Sequence, residues 1–166
     1  ELGGYGGVPT TIITTIKHPT FQGGEKRGSL QRFVPASTDM SDLGPAGIDV
    51  EQVHKIAIVD LLLFNVDRHE GNVLLRVTNG SSNEPTRELV PIDHGLCLPV
   101  IVTREHGPNR QLMTDLYFAW QTWPQAQQPF GPKASRFLGK LSPHMVDDLV
   151  RVLRTDLGNQ AIPSPA

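Results

Sequence analysis

The sequence has 166 residues, 38% of them hydrophobic, which suffices for one domain with its own core but not for two. The formal net charge of −2 excludes the overall basic character of a nucleic-acid-binding domain, and no stretch approaches the roughly 20 apolar residues of a membrane span. The single cysteine excludes an internal disulfide and favours a reducing compartment, so we expect a cytoplasmic domain.

The first third of the sequence predicts two strands and a long loop. Residues 8–16 (VPTTIITTI) are rich in β-branched side chains, which favour a strand. Residues 29–34 alternate well enough to form a second strand, which Pro35 ends. Residues 35–48 are dominated by Pro, Gly, Ser and Asp and predict a loop. The glycine-rich residues 3–7 lack the hydrophobic start of an independent domain, so we expect them to be a joint that follows an upstream segment.

A buried helix is predicted next. Asp49 is a suitable N-cap, and Gln52 stands three positions later, as in a capping box. Residues 50–64 are apolar at helical spacing, and their second half is apolar on nearly every side, which predicts a helix in the middle of the fold. This helix leads directly into the polar segment 65–72 (NVDRHEGN).

Four further elements are predicted downstream: short strands over 73–77 and 88–92, a helix over 115–121 and a last helix over 143–157. Residues 79–87 are polar and predict an exposed tip between the two strands. The last helix has Ser142 as its predicted cap and Gly158 at its end.

Two polar blocks, residues 67–72 (DRHEGN) and 93–95 (DHG), interrupt the most hydrophobic part of the chain. A β-hairpin between them would bring Asn72 and Asp93 to neighbouring strand ends. Amide and carboxylate oxygens at such a point can hold a hard divalent cation. The sequence therefore predicts a magnesium site formed by Asn72 and Asp93.

The spacing of these residues is typical of kinase-like phosphoryl transfer. A catalytic-loop Asp is followed there by an Asn five positions later, as Asp67 is by Asn72, and a metal-binding Asp then precedes a Gly on the next strand. We expect Asp67 to orient the acceptor hydroxyl. His69 is a second candidate base or charge stabiliser. Arg68 is a candidate for catalysis or for holding the loop through a carboxylate. His94 is interpreted as a spacer or packing residue.

Five segments in this order resemble the catalytic domain of phosphatidylinositol 3- and 4-kinases, especially the type II and plant gamma phosphatidylinositol 4-kinases: GGYGGVPTT, GSLQRFVP, VDRHEGNVLL, LVPIDHGLCLP and FAWQTWPQAQQPF. The similarity covers about residues 4–155. It implies an α+β, kinase-like fold, with hinge-side strands over 8–34 and a mainly helical carboxyl-terminal lobe with a short catalytic-loop hairpin over 49–157. The Gly-rich loop, strand lysine and helical glutamate of an amino-terminal lobe are not found, so residues 1–166 are expected to be a partial catalytic domain.

The resemblance also implies the reaction and its participants. It implies transfer of phosphate from ATP, with Mg²⁺, to phosphatidylinositol at its 4-hydroxyl, by a protein that is cytoplasmic and peripheral at membranes. Adenine contacts fall on four residues, namely Gln31, Arg32, Phe33 and Val34. The resemblance places the catalytic aspartate at Asp67 and metal or phosphate ligands at Asn72 and Asp93, and Arg68 and His69 remain candidate catalytic residues beside them. Two alternatives remain open: a protein hydroxyl as acceptor on the same fold, and a non-catalytic module that binds nucleotide or a partner.

Overall fold

The computed structural model describes residues 4–22, 24–35, 37–79, 85–99, 102–103, 107–108 and 116–141, together with residues 144, 147 and 151. The strands within these residues are β1 (Thr11–Lys17), β2 (Glu25–Gln31), β3 (Ser37–Asp39), β4 (Val73–Asn79), β5 (Pro85–Pro91), β6 (Val102–Thr103) and β7 (Gly107–Pro108). The helices are α1 (Val50–Leu63) and α2 (Pro132–Leu138), with 3₁₀ turns at Glu70–Asn72, Ala119–Thr122 and Pro124–Gln127. The described part is thus a mixed assembly of helices and strands, as the sequence predicted.

Strands β1 and β2 form an antiparallel hairpin whose register runs from Thr11 opposite Gln31 to Lys17 opposite Glu25. The predicted second strand over 29–34 is therefore placed too late, since β2 begins at Glu25 and ends at Gln31. Residues 25–28 (EKRG) have little strand propensity of their own. They become extended because each pairs with a β-branched or long side chain of β1, so tertiary pairing overrides local preference.

A three-stranded antiparallel sheet in the order β3-β4-β5 carries the two polar blocks. The predicted pairing of the strands around the tip is confirmed, with Val73 opposite Pro91 and Asn79 opposite Pro85. The pairing extends into the predicted tip, so that β5 already begins at Pro85. The predicted loop over 35–48 contains the short strand β3, which pairs with the edge of β4.

Helix α1 begins and ends close to its predicted limits. The Asp49 carboxylate accepts a hydrogen bond from the Glu51 backbone N–H at 2.8 Å, as expected of an N-cap. Gln52 does not complete a capping box. Its Oε1 instead accepts from the Lys55 ammonium at 2.9 Å and from the Leu89 backbone N–H at 3.1 Å, which ties α1 to β5. The helix ends at Leu63, and Phe64 follows as its C-cap with a φ of 46°, in the left-handed region.

The hydrophobic core joins the helix, the sheet and the segment after residue 116. Its buried members are Met40, Ile48, Val53, Ile56, Ala57, Val73, Leu89, Phe118, Trp120 and Trp123. The predicted helix over 115–121 is wrong for the residues that are described, because Ala119–Thr122 and Pro124–Gln127 are 3₁₀ turns. Pro124 cannot continue a helix and sets the start of the second turn. Core packing of the two tryptophans is confirmed.

Helix α2 was not predicted from the sequence. Pro132 occupies its first position, and the carboxylate of Glu51 in α1 accepts from the backbone N–H groups of Lys133 at 2.8 Å and Ala134 at 3.0 Å. A cap supplied from 82 residues away leaves no local signal. Most of the predicted last helix over 143–157 lies outside the described residues, of which 144, 147 and 151 are helical. Where the chain is described, no helix is both long and apolar enough to cross a membrane.

Candidate active site

The β4–β5 pairing brings the two polar blocks together at one end of the sheet. The backbone N–H of Ile92 donates to the Asn72 carbonyl at 3.0 Å, so Asp93 follows directly after the residue that faces Asn72. Asn72 ends the 3₁₀ turn that precedes β4, and Asp93 follows the end of β5. Asn72 and Asp93 therefore lie at neighbouring strand ends, as the sequence predicted.

The Asn72 side chain holds the polar loop in place. Its Nδ2 donates to the Asp67 backbone carbonyl at 3.0 Å, and the Asp67 backbone N–H donates to Asn65 Oδ1 at 3.1 Å. Asn72 is buried, whereas Asp67 is half-buried. The amide nitrogen of Asn72 bonds to the loop. Its oxygen, Oδ1, is therefore the atom that can coordinate a cation or accept a hydrogen bond.

Asp93 lies in the left-handed region, with φ of 49°, and its side chain is exposed. One of its carboxylate oxygens accepts from the Gly95 backbone N–H at 3.3 Å. The residue lines a cavity of about 660 Å³ together with Val8, Thr11, Ser29, Gln31, Leu63, Ile92, His94 and Gly95. This volume falls in the range of pockets that bind small molecules.

The four predicted adenine-contacting residues lie beside this cavity. Gln31 lines it, and Gln31, Arg32, Phe33 and Val34 all line an adjoining cavity of about 550 Å³ that also contains Ile92. The Arg32 backbone N–H donates to the Thr10 carbonyl at 2.8 Å. The Phe33 side chain is 84% exposed, whereas Val34 is buried. Gln31 and Ile92 line both cavities, so the four predicted hinge residues and Asp93 border neighbouring cavities.

Arg68 is fully buried and bonds to helix α1, to the ends of β4 and β5 and to His94. Its Nε donates to both carboxylate oxygens of Asp60 in α1, at 3.0 and 3.1 Å. Its Nη1 donates to the carbonyls of Asn72 at 2.5 Å and Ile92 at 2.8 Å, and its Nη2 lies 3.1 Å from His94 Nε2. One guanidinium therefore fixes α1, the ends of both strands and the segment after Asp93.

The burial of Arg68 favours one of its two predicted roles. A guanidinium enclosed among Asp60, two carbonyls and His94 holds the loop through a carboxylate and is not exposed to a substrate. His69 differs, because its side chain is exposed and its Nδ1 accepts from the Gly71 backbone N–H at 3.1 Å. His69 caps the 3₁₀ turn and still presents the rest of its ring to solvent.

Sequence reasoning missed three partners in this network: Asp60, Asn65 and Trp120. Asp60 is fully buried and accepts from Asn65 Nδ2 at 3.1 Å and from Trp120 Nε1 at 2.9 Å. Burial raises the pKa of Asp60, and the Arg68 guanidinium and these two donors oppose the rise. The sequence did contain one signal for this network, because Asp60 is a lone carboxylate within the apolar run of α1. A buried carboxylate needs a cationic partner.

His94 is more than a spacer, because it accepts a hydrogen bond from Arg68. Burial, with a further contribution from the adjacent Arg68 charge, lowers the pKa of His94 to about 4, while Asp93 acts in the opposite direction. The imidazole is therefore neutral near pH 7. Its Nε2 accepts from Arg68 Nη2, so the ring proton lies on Nδ1. Burial also raises the pKa of the Cys97 thiol to about 11, which keeps that thiol protonated.

Folding stability should decrease as the pH falls from about 6.5 to about 4. The folded chain keeps His94 neutral down to about pH 4, whereas the unfolded chain protonates it near its ordinary pKa. Protons then bind preferentially to the unfolded state, so stability rises with pH across this window. We expect His94 to contribute roughly 1–2 kcal/mol to this change after solvent screening is allowed for.

Urea unfolding of the natural chain and His94→Gln at several pH values within that window tests the expectation. Glutamine offers Arg68 an acceptor oxygen but does not titrate. The variant should therefore show a shallower loss of stability on acidification. Equal pH dependence in the two proteins would contradict a role for His94.

Comparison with known proteins identifies the family. The sequence profile described as Phosphatidylinositol 3- and 4-kinase matches residues 7–136, which include the hairpin, α1 and both polar blocks. The chain belongs to the phosphatidylinositol 3- and 4-kinase family.

Relatives of this kinase-family chain occur among plant proteins. It is 39% identical to phosphatidylinositol 4-kinase gamma 4 of Oryza sativa subsp. japonica over 85% of this chain and 22% of that protein. It is 36% identical to phosphatidylinositol 4-kinase gamma 1 of Arabidopsis thaliana over 98% of this chain and 29% of that protein. Phosphatidylinositol 4-kinase gamma 8 of the same plant is 38% identical over 89% of this chain. The chain spans between a fifth and a third of the length of these curated relatives.

The site of this kinase-family chain fits a magnesium ion with few protein ligands. Among the described residues, no group of three or more His, Cys, Asp and Glu side chains could hold a metal. Mg²⁺ commonly takes one or two protein oxygens and completes its shell with water and phosphate oxygens. The Asp93 carboxylate is exposed, and the bond to the Asp67 carbonyl uses the amide nitrogen of Asn72 rather than its oxygen, so these two residues could hold such an ion.

Proposed function

We propose that the protein containing this chain transfers phosphate from ATP to phosphatidylinositol, at the 4-hydroxyl of the inositol ring. Membership of the phosphatidylinositol 3- and 4-kinase family supports a lipid kinase. The names of the plant relatives, each a phosphatidylinositol 4-kinase gamma, support the acceptor and its position. Because the chain matches less than a third of those relatives, the proposal concerns the protein in its full length.

The hydrogen bond between Asn72 Nδ2 and the Asp67 carbonyl is the observation that carries the proposal. This bond fixes the loop that bears Asp67 to the start of β4, while the strand pairing holds the end of β5 beside it. One bond from a side chain to the backbone and the strand pairing thereby hold the backbone of Asp67, Asn72 and Asp93 in a common region without a ligand. Such pre-organisation is the main requirement of phosphoryl transfer, in which positioning and charge stabilisation dominate catalysis.

Each residue has a distinct role in the proposal. The Asp67 carboxylate orients the acceptor hydroxyl and accepts its proton. Asn72 Oδ1 and the Asp93 carboxylate hold Mg²⁺, which neutralises charge on the phosphate oxygens when bound. His69 lies two positions beyond Asp67 with an exposed ring and is the second candidate for charge stabilisation. Residues 31–34 contact the adenine ring.

The domain organisation belongs to the same proposal. Residues 8–34 form the hinge side and residues 49–157 the carboxyl-terminal lobe of a partial catalytic domain, with ATP bound along the cavities between them. The protein acts in the cytoplasm and binds the membrane surface peripherally, because its acceptor is a lipid.

The test uses the full-length protein with radiolabelled ATP and two acceptors, phosphatidylinositol vesicles and a generic protein substrate. We expect a labelled lipid that co-migrates with phosphatidylinositol 4-phosphate, and loss of this product in Asp67→Asn. Labelling of protein alone would replace the lipid acceptor by a protein hydroxyl. Nucleotide binding without transfer to either acceptor would contradict the proposed enzyme and favour a non-catalytic module.

A further inference from the structure

A further cavity lies at the first turns of α1, whereas the cavity that contains Asp93 lies at its last residue, Leu63. It has a volume of about 490 Å³ and is formed by the first turns of α1, by α2, by Glu88 of β5 and by the segment around Tyr5. It shares no lining residue with the cavity that contains Asp93, but Gly7 and Glu88 also line a further cavity that contains Arg32, Phe33 and Val34. Lys55 at this cavity and Leu63 near Asp93 are separated along α1 by about 12 Å of helical rise.

Cationic side chains dominate the lining of this cavity. Four of them, Lys55, Lys133, Arg136 and Lys140, face two carboxylates, Glu51 and Glu88. Both Glu51 oxygens already accept backbone N–H groups at the start of α2. Glu88 Oε2 accepts from the Arg76 guanidinium, and its Oε1 lies 3.9 Å from the Lys55 ammonium. The four cations outnumber the two carboxylates, so the lining keeps an excess of positive charge.

Three of these cations lie at the mouth of the cavity and are exposed. The side chains of Lys133, Arg136 and Lys140 form no hydrogen bond or ion pair with any described residue. Lys55 lies deeper, where its ammonium donates to Gln52 Oε1 at 2.9 Å and to the Leu89 carbonyl at 2.8 Å. Burial lowers the pKa of Lys55 despite the nearby Glu88, so an anion in the cavity would stabilise its charged form.

One wall of the cavity is aromatic. The rings of Tyr5 and Phe137 stack with centroids 4.0 Å apart and an interplanar angle of 6°. The Tyr5 hydroxyl oxygen is enclosed and has no hydrogen-bond partner within the described part of the chain. The wall thus offers a flat apolar surface for an organic group and one unused hydroxyl.

We propose that this cavity binds a phosphomonoester carried by a compact organic group. A phosphomonoester has a charge of about −1.5 to −2 near pH 7, which matches the excess of cationic side chains at the mouth. Arg136 can donate two parallel hydrogen bonds to phosphate oxygens, with Lys133 and Lys140 as additional charges. The Tyr5–Phe137 wall contacts the organic part. The ligand is a soluble organic phosphate or the headgroup of a phosphorylated lipid, since both present the same chemistry.

Binding measurements on the full-length protein without ATP test this site separately from catalysis. Phenyl phosphate titrated in a calorimeter is the soluble probe, because it carries a phosphomonoester on a compact organic group and is not a product of the proposed reaction. Phosphatidylcholine vesicles with and without phosphatidic acid, in a sedimentation assay, are the lipid probe. The test variant is Lys133→Gln/Lys140→Gln. The control is Lys17→Gln/Lys26→Gln, which removes the same charge from the exposed β1–β2 hairpin.

We expect the test variant to bind at least one probe about tenfold more weakly, and the control to bind like the natural protein. Weakening confined to the calorimetric probe assigns a soluble ligand, and weakening confined to vesicles assigns a lipid headgroup. Arg136→Glu should weaken the same probe further. Unchanged binding in the test variant, or an equal loss in the control, would overturn the site. Equal affinity for an acidic peptide without phosphate would also overturn the assignment.

The result is independent of the proposed kinase activity. Asp93→Asn should leave probe binding at this cavity unchanged, because Asp93 does not line it. A protein that binds the probe but transfers no phosphate would retain this inference and contradict the proposed function. Thermal unfolding of each variant checks that the exposed substitutions leave the fold intact.

Discussion

Replacement of Arg68 by methionine is expected to destabilise the folded protein by about 3–5 kcal/mol. The side chain is fully buried, and its loss leaves the Asp60 carboxylate enclosed with only Asn65 and Trp120 as donors. It also removes the donors from the Asn72 and Ile92 carbonyls at the ends of β4 and β5. The cost arises from groups left buried without partners rather than from the ion pair itself.

Two further variants separate the buried charge from the loss of packing. Asp60→Leu/Arg68→Met removes both charges and should be destabilised by much less than the sum of the two single variants. Arg76→Met breaks an arginine–glutamate pair with side chains 37% and 33% exposed, so it should cost only about 0–1 kcal/mol. Urea unfolding of Arg68→Met, Asp60→Leu, the double variant and Arg76→Met gives the values. A small effect of Arg68→Met, equal to that of Arg76→Met, would contradict the role given to Arg68.

Replacement of Asp67 by asparagine should lower kcat for lipid phosphorylation by about 10²–10⁴-fold. The asparagine keeps the size of the side chain but cannot accept the proton of the hydroxyl. The loop itself should persist, because Asn72 Nδ2 donates to the backbone carbonyl of residue 67 and Asn65 accepts from its backbone N–H. We therefore expect the KM for ATP and the thermal stability to change little.

The control for this experiment is Asp42→Asn, which makes the same change at an exposed position outside the cavities that contain Asp93 and residues 31–34. Steady-state rates on phosphatidylinositol vesicles decide the result. Full activity of Asp67→Asn would exclude Asp67 as the catalytic carboxylate. His69, which is exposed in the same loop, would then be the next residue to test.

Local patterns in the sequence were sufficient to predict helix α1 and the β4–β5 pairing, the elements that position the candidate site. The apolar run over 50–64 and the cap at Asp49 gave α1 within about one residue, as is usual for the limits of a strongly periodic helix. The apolar strands on either side of the tip gave the β4–β5 pairing. Since Asn72 and Asp93 lie directly beside those strands, the pattern alone predicted that the two residues are close to each other.

Long-range contacts determine what the sequence did not reveal. Asp60 meets Trp120 across 60 positions, and Glu51 caps α2 from 82 positions away. Neither contact leaves a periodic or local signal. The start of β2 at Glu25 was missed for the same reason, because the polar residues of β2 are extended only through their pairing with β1. Arg68 was predicted to hold the loop or to act in catalysis, and only its burial distinguishes the two roles.

The most direct test of the central claim is the Mg²⁺ dependence of phosphatidylinositol phosphorylation by the full-length protein and by Asp93→Asn. If Asp93 and Asn72 hold the metal, the natural protein should be activated by Mg²⁺ to saturation. Asp93→Asn should lose about 10³-fold or more in rate at any Mg²⁺ concentration, since metal coordination supplies several kcal/mol of charge stabilisation. Asp42→Asn should behave like the natural protein. Full activity of Asp93→Asn, with an unchanged Mg²⁺ dependence, would contradict the account.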